Sequence, residues 1–320
     1  MEVSLQKRNL LIFSVLTAAS ILIFQISVVF FLLTVPLFII YRRYGIVYLT
    51  MSGFFVALVI VIQTIIRASG IEDSTLRRFL IFAELFYPLS LIVGVLIVSW
   101  FNNKTLYLLL AATMGFALVS FPAFYHYAGN SEIIELLKNQ IVTVSNMFRD
   151  SVSTADSFEA TVLLKQMSPE LIVKSTAKLV LRNYLFVYFV MLTFSWYVAE
   201  VLFSRTSKKK SLKLVDFTIP DIMIWPLIFF LGGVLFDIFI GIPWLGYFLW
   251  NGAFIIMFVY GLHGIGLVKF LLNKYKVTRR GRRFFAVFIF AVLLMPGINL
   301  VILLGVPVLG ISELWITYRV

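Results

Sequence analysis

The chain has 320 residues, 61% of them hydrophobic, with no cysteine and a formal net charge of +12. Lacking thiols, it forms no disulfides, Fe–S clusters or thiolate zinc sites. The apolar residues fall in blocks long enough to cross roughly 30 Å of hydrocarbon, about 20 residues each, and the positive charges between them set topology and meet anionic lipid rather than nucleic acid.

Runs such as Ile46–Ile66 do not alternate in polarity, which excludes the strands of a membrane barrel. The expected fold class is all-α: a polytopic integral membrane helical bundle of about ten spans, with nine as the runner-up and one helical extracytoplasmic segment. Ten spans leave no room for a soluble catalytic domain of ordinary size, ~100 residues.

In chain order, Lys7 and Arg8 precede an apolar stretch from Asn9 to Tyr41, too long for one upright span. Arg42–Arg43 at its far end are also basic, so both ends belong in the cytoplasm and two short spans are expected, turning near Gln25 and Ser27. No small-residue cleavage site follows, so the start reads as an uncleaved anchor. Spans follow at Ile46–Ile66, Phe79–Phe101 and Thr105–Tyr127.

Residues 128–183 form the long polar segment, extracytoplasmic by parity. Ile134, Leu137, Ile141, Val144 and Phe148 recur at helical spacing and predict an amphipathic helix. It serves either as a lid or docking surface or as a structural cap. Ser168-Pro169-Glu170 is a helix start, with a hydroxyl cap, a first-turn proline and an acid at the positive dipole end. That helix is expected to run on into a span at Tyr184–Phe203. Spans at Ile222–Ile240 and Tyr247–Leu271 come next, joined by a tight turn over 241–246. The last stretch, Phe284–Tyr318, is broken at Pro296-Gly297, and two spans fit it best. The resulting organisation is 1–127 and 184–320 in the membrane with 128–183 outside, and both termini in the cytoplasm. The loops 205–213 and 274–283 carry eleven Lys or Arg. A cysteine at Ser207 or Thr278 should therefore resist a membrane-impermeant thiol reagent in intact cells, while one at Ser157 reacts; labelling at Thr278 with none at Ser157 overturns the topology.

Ionisable groups inside hydrocarbon cost roughly 3 kcal/mol each and are functional candidates. Toward the outside lie Glu84, Asp237, Asn251 and Asn299. Pro88 removes the helical donor for the Glu84 carbonyl, so a carboxylate and a freed carbonyl could together hold a cation or an amine; the other reading is a kink with Glu84 satisfied by a neighbouring helix. Asp237 either belongs to a pocket or reaches the interface. Trp244 and Trp250 line a pocket or form an interfacial belt. Gly261-Leu-His-Gly264-Ile-Gly266 lacks the strand context of a nucleotide fingerprint and predicts close helix contact, with His263 a neutral histidine in that contact. Glu200 and Arg205 are expected to pair locally or to snorkel. There is no P-loop, Gly-x-Ser-x-Gly or His-Glu-x-x-His, and two histidines, His126 and His263, offer no metal spacing. Neither enzyme activity, a cofactor nor a metal is expected.

The C-terminal third resembles the YybS-like family of bacterial polytopic membrane proteins. The resemblance rests on Phe217-Thr-Ile-Pro220 with Trp225, on Asn251 followed by Tyr260-Gly-Leu-His263, on Pro296-Gly-Ile-Asn-Leu300, and on the ending Gly310-Ile-Ser-Glu-Leu-Trp-Ile-Thr-Tyr-Arg319. That family is distantly similar to the substrate-capturing S components of energy-coupling-factor importers. The resemblance implies a multi-pass protein of the bacterial cytoplasmic (inner) membrane. It also implies that Ser14-x-x-x-Ala18 contacts a transporter coupling subunit or ATPase. The expected function is a transport-type or substrate-binding membrane subunit with an outward-facing pocket at Glu84, Asp237, Asn251, Asn299, Trp244 and Trp250, and no ATPase of its own. The alternative is a scaffold recruiting envelope proteins through 128–183 or the basic loops.

Overall fold

A computed structural model describes residues 2–26, 28–100, 105–128, 169–207, 214–241, 243–316 and 318–319, with scattered positions between 135 and 147. The described residues form ten α-helices: α1 (Glu2–Phe24), α2 (Thr34–Tyr44), α3 (Ile46–Ala68), α4 (Ser74–Trp100), α5 (Thr105–Ala128), α6 (Pro169–Ser207), α7 (Ile224–Ile240), α8 (Pro243–Lys274), α9 (Arg279–Leu293) and α10 (Asn299–Ser312). Among the described residues six stretches are long and apolar enough to cross a membrane: five within α3, α4, α5, α6 and α8, and Asp221–Ile240, which joins a short 3-10 turn to α7. The four other expected spans fall on shorter pieces: two apolar ones, Asn9–Phe24 within α1 and the 14 residues of α10, and the 11 residues of α2 and 15 of α9, which carry arginines. The expected amphipathic helix on Ile134, Leu137, Ile141, Val144 and Phe148 lies outside the described residues.

Local chemistry sets the boundaries. The first apolar stretch breaks after Phe24, with turn bonds from Gln25 N–H to the Leu22 carbonyl and from Ile26 N–H to the Ile23 carbonyl, as the charge parity predicts. Gly45, at φ +89°, separates α2 from α3, a conformation that side chains disfavour. Asp73 Oδ1 accepts from the Thr75 and Leu76 amides at 2.7 and 3.1 Å, satisfying two of the orphan donors at the start of α4. Thr278 caps α9 by accepting from Gly281 N–H at 3.2 Å. Gly297, at φ +84°, marks the break at Pro296-Gly297 and divides the last stretch into α9 and α10.

The chain divides into two compact units, Met1–Ser207 and Lys208–Val320. The boundary expected at 183/184 falls inside α6, a 39-residue helix that begins at Pro169 and continues unbroken into the apolar span. In the first unit, α4 packs on α3 and α5, and α2 packs on α1, α3 and α6. An aromatic stack holds its centre. Tyr188 lies 4.1 Å from Phe116, ring centroid to centroid, and its hydroxyl donates to the Ser90 carbonyl at 2.9 Å. Tyr87 donates to the Tyr184 carbonyl at 2.9 Å. Glu200 of α6 pairs with Arg42 of α2, not with Arg205, so the expectation of a local pairing is corrected: helix packing brings together two charges 158 residues apart.

In the second unit α8 is the central helix, with α7 and α10 packed on it and α9 packed on α10. Little hydrophobic force acts between helices in lipid, so close backbone approach through small residues matters more. Here that approach is extreme. A Cβ at Gly264 would lie 2.0 Å from the Val306 carbonyl oxygen, and one at Gly310 would lie 2.3 Å from that of Tyr260. The expected close helix contact at Gly261–Gly266 is therefore the α8–α10 interface.

Candidate functional site

The α7–α8 hairpin brings two of the sequence-predicted residues into contact. Gly241 closes α7 in the left-handed conformation, its N–H bonding the Asp237 carbonyl at 2.8 Å, and α8 restarts at Pro243. Contacts at glycines hold the two helices together. A Cβ at Gly233 would meet Leu249 at 2.4 Å, and one at Gly252 would meet the Phe230 ring at 2.1 Å. Asp237, in the last turn of α7, is only 6% exposed. The Trp250 indole N–H donates to its Oδ2 at 3.0 Å. The other carboxylate oxygen lies over Gly246, where a Cβ would sit 2.5 Å away. A carboxylate is thus buried in an apolar hairpin, lying over a glycine and bonded by the Trp250 indole.

The other predicted residues are placed differently. Asn251 is fully buried, and its amide donates to the Tyr247 carbonyl one turn back in α8, at 2.7 Å. Trp244 is 64% exposed. Asn299 opens α10 and is half-buried. Glu84 belongs to the first unit, on an exposed face of α4 that continues past Pro88 without a break. Ser14 and Ala18 share an exposed face of α1, whereas Thr17 between them bonds Ser52 of α3 at 2.9 Å.

A second cluster brings together groups the sequence reading left separate. His263 Nε2 lies 2.8 Å from Glu313 Oε2, and Arg319 Nε lies 3.0 Å from Glu313 Oε1. All three side chains are largely buried, at 7%, 13% and 16% exposure. The Phe217 carbonyl faces His263 Nδ1 at 3.1 Å and accepts from Arg319 Nη1 at 3.2 Å. A carbonyl can only accept, so Nδ1 carries hydrogen. His263 lies in the expected helix contact but is not alone in it: the glycine-mediated approach of α8 and α10 carries Glu313 to the ring, and the turn after α10 returns Arg319 to the carboxylate. The one sequence signal for this was three ionisable types near apolar ends; their pairing depends on the fold.

Among the described residues, ten helices, six stretches of membrane-crossing length and a buried acid, Asp237, inside one of them make this a polytopic helical membrane protein. The chain belongs to the family described as predicted membrane protein (DUF2232), whose model matches residues 11–307. No curated protein and no solved structure matches it.

Proposed function

We propose that the chain is a transport-type or substrate-binding subunit of the bacterial inner membrane, with both termini in the cytoplasm, an outward-facing site and no ATPase of its own. The site is the α7–α8 hairpin around Asp237, and its substrate class is a cation or amine. One observation carries this reading: a carboxylate 6% exposed among apolar helices, bonded by the Trp250 indole. Such a group is costly to bury, and a tryptophan beside an acid offers a cation both charge and a π-face. Glu84 is a further acid of this reading, and the exposed Ser14 and Ala18 suit contact with a coupling subunit of the kind found in energy-coupling-factor importers, which the YybS-like family distantly resembles.

Titration of the purified full chain in lipid nanodiscs with methylammonium, followed by tryptophan fluorescence, tests the site. The wild type should show saturable quenching. Asp237→Asn should weaken it about tenfold or more, the effect of one lost charge-assisted contact. Equal quenching in both proteins removes the hairpin from the site.

A second reading is a scaffold for envelope partners. What favours it is the first turn of α9, where Arg279, Arg282 and Arg283, all exposed, line an open concavity with Ala286. That surface suits an acidic partner or anionic lipid.

A further inference from the structure

We infer that His263 and Glu313 form a proton-binding site, holding one exchangeable proton between Nε2 and Oε2 beneath Arg319. The argument starts at the other ring nitrogen. Nδ1 faces the Phe217 carbonyl at 3.1 Å, so it carries hydrogen in every state of the site. A neutral ring would then present a bare Nε2 lone pair to a carboxylate oxygen 2.8 Å away. At that separation two bare acceptors repel, whereas a positive ring and a carboxylate attract. One proton therefore belongs on Nε2 or on Oε2. Arg319 decides which side holds it, because its guanidinium, 3.0 Å from Oε1, favours the ionised carboxylate. The resting site is imidazolium, carboxylate and guanidinium.

The charged groups acting on the ring are Glu313 of α10 and Arg319 of the C-terminal segment, while the segment before α7 supplies the Phe217 carbonyl. Lys274 meets that C-terminal segment at the Tyr318 carbonyl, 3.4 Å away, and not at the ring. Release breaks the Nε2–H bond, passes the proton to water and lowers the net charge of the site by one. The bare ring then repels Glu313, and the carboxylate that ties Arg319 to α8 loses its partner. Binding and release of a proton are thus coupled to the seating of the segment after α10. The site stands apart from whatever the Asp237 hairpin binds.

The full chain, labelled with [15N]histidine and held in lipid nanodiscs, tests this directly. It contains two histidines, so a His126→Gln variant assigns the signals. At neutral pH the wild type should show hydrogen on both nitrogens of His263. In Glu313→Gln the amide can itself donate to Nε2, so the ring should lose that hydrogen and retain Nδ1–H. A bare Nε2 in the wild type overturns the proposal, as does a ring doubly protonated to the same extent in both proteins. If Glu313→Gln does not fold, alkaline titration of the wild type decides. The second proton must leave the ring, and a ring unchanged between about pH 6 and pH 10, across the ordinary histidine range, overturns the site.

Discussion

Gly264→Leu should destabilise the second unit by about 3 kcal/mol or more, read as a lower midpoint of SDS-induced unfolding in mixed micelles. A Cβ at this position would lie 2.0 Å from the Val306 carbonyl oxygen and 3.1 Å from a Val306 methyl. Backbone cannot give way as the tip of a flexible side chain can, so α8 and α10 must separate. Separation also removes Glu313 from His263, adding the cost of uncovered buried charge. Gly305→Leu is the matched control: it lies in α10 and meets nothing within 4 Å. There the substitution should be neutral or mildly stabilising, because leucine is the better helix former. Equal loss from both changes would show that helix propensity, not helix contact, explains these glycines.

Removing the Tyr188 ring should have the largest effect in the first unit. Tyr188 is 1% exposed, stacks on Phe116, and its hydroxyl sits over Gly94, where a Cβ would lie 2.4 Å away. Tyr188→Ala should cost about 3 kcal/mol or more, through lost dispersion contacts and the cavity left behind. Tyr188→Phe keeps the ring and loses one hydrogen bond to the Ser90 carbonyl, so about 1 kcal/mol is expected. If the phenylalanine variant loses as much as the alanine variant, the hydroxyl contact, not ring packing, organises this core. Thermal unfolding of the purified protein in one detergent compares the two.

The two experiments probe features of different legibility. Glycines spaced along an apolar helix signal close approach, and the Gly261–Gly266 contact follows from that spacing alone. The partner surface does not, because any helix with a suitable groove would satisfy it. Asp237 and Trp250 show the same division. Both stand near a tight turn between two apolar runs, so an antiparallel hairpin places them at one end. That Trp250 donates to the carboxylate, while Trp244 is exposed, depends on rotation about the helix axis. Glu84 shows the limit from the other side. Its place before Pro88 is plain in the sequence, but its exposed face on α4 is set by the packing of α3 and α5.

By itself the sequence determined the class of protein and most helix boundaries, because both follow from short-range physics. Blocks of apolar residues must become helices where backbone groups have no water to bond, and Gly45, Asp73, Gly241, Thr278 and Gly297 act on the turns in which they stand. Tertiary structure alone decided the pairing of charges. Arg42 meets Glu200 across 158 residues, and His263 meets Glu313 and then Arg319 from helices that touch through glycine. An ion pair inside a low-dielectric bundle forms wherever packing carries two charges within reach. No periodicity in the chain records that distance; it is set when whole helices come into contact.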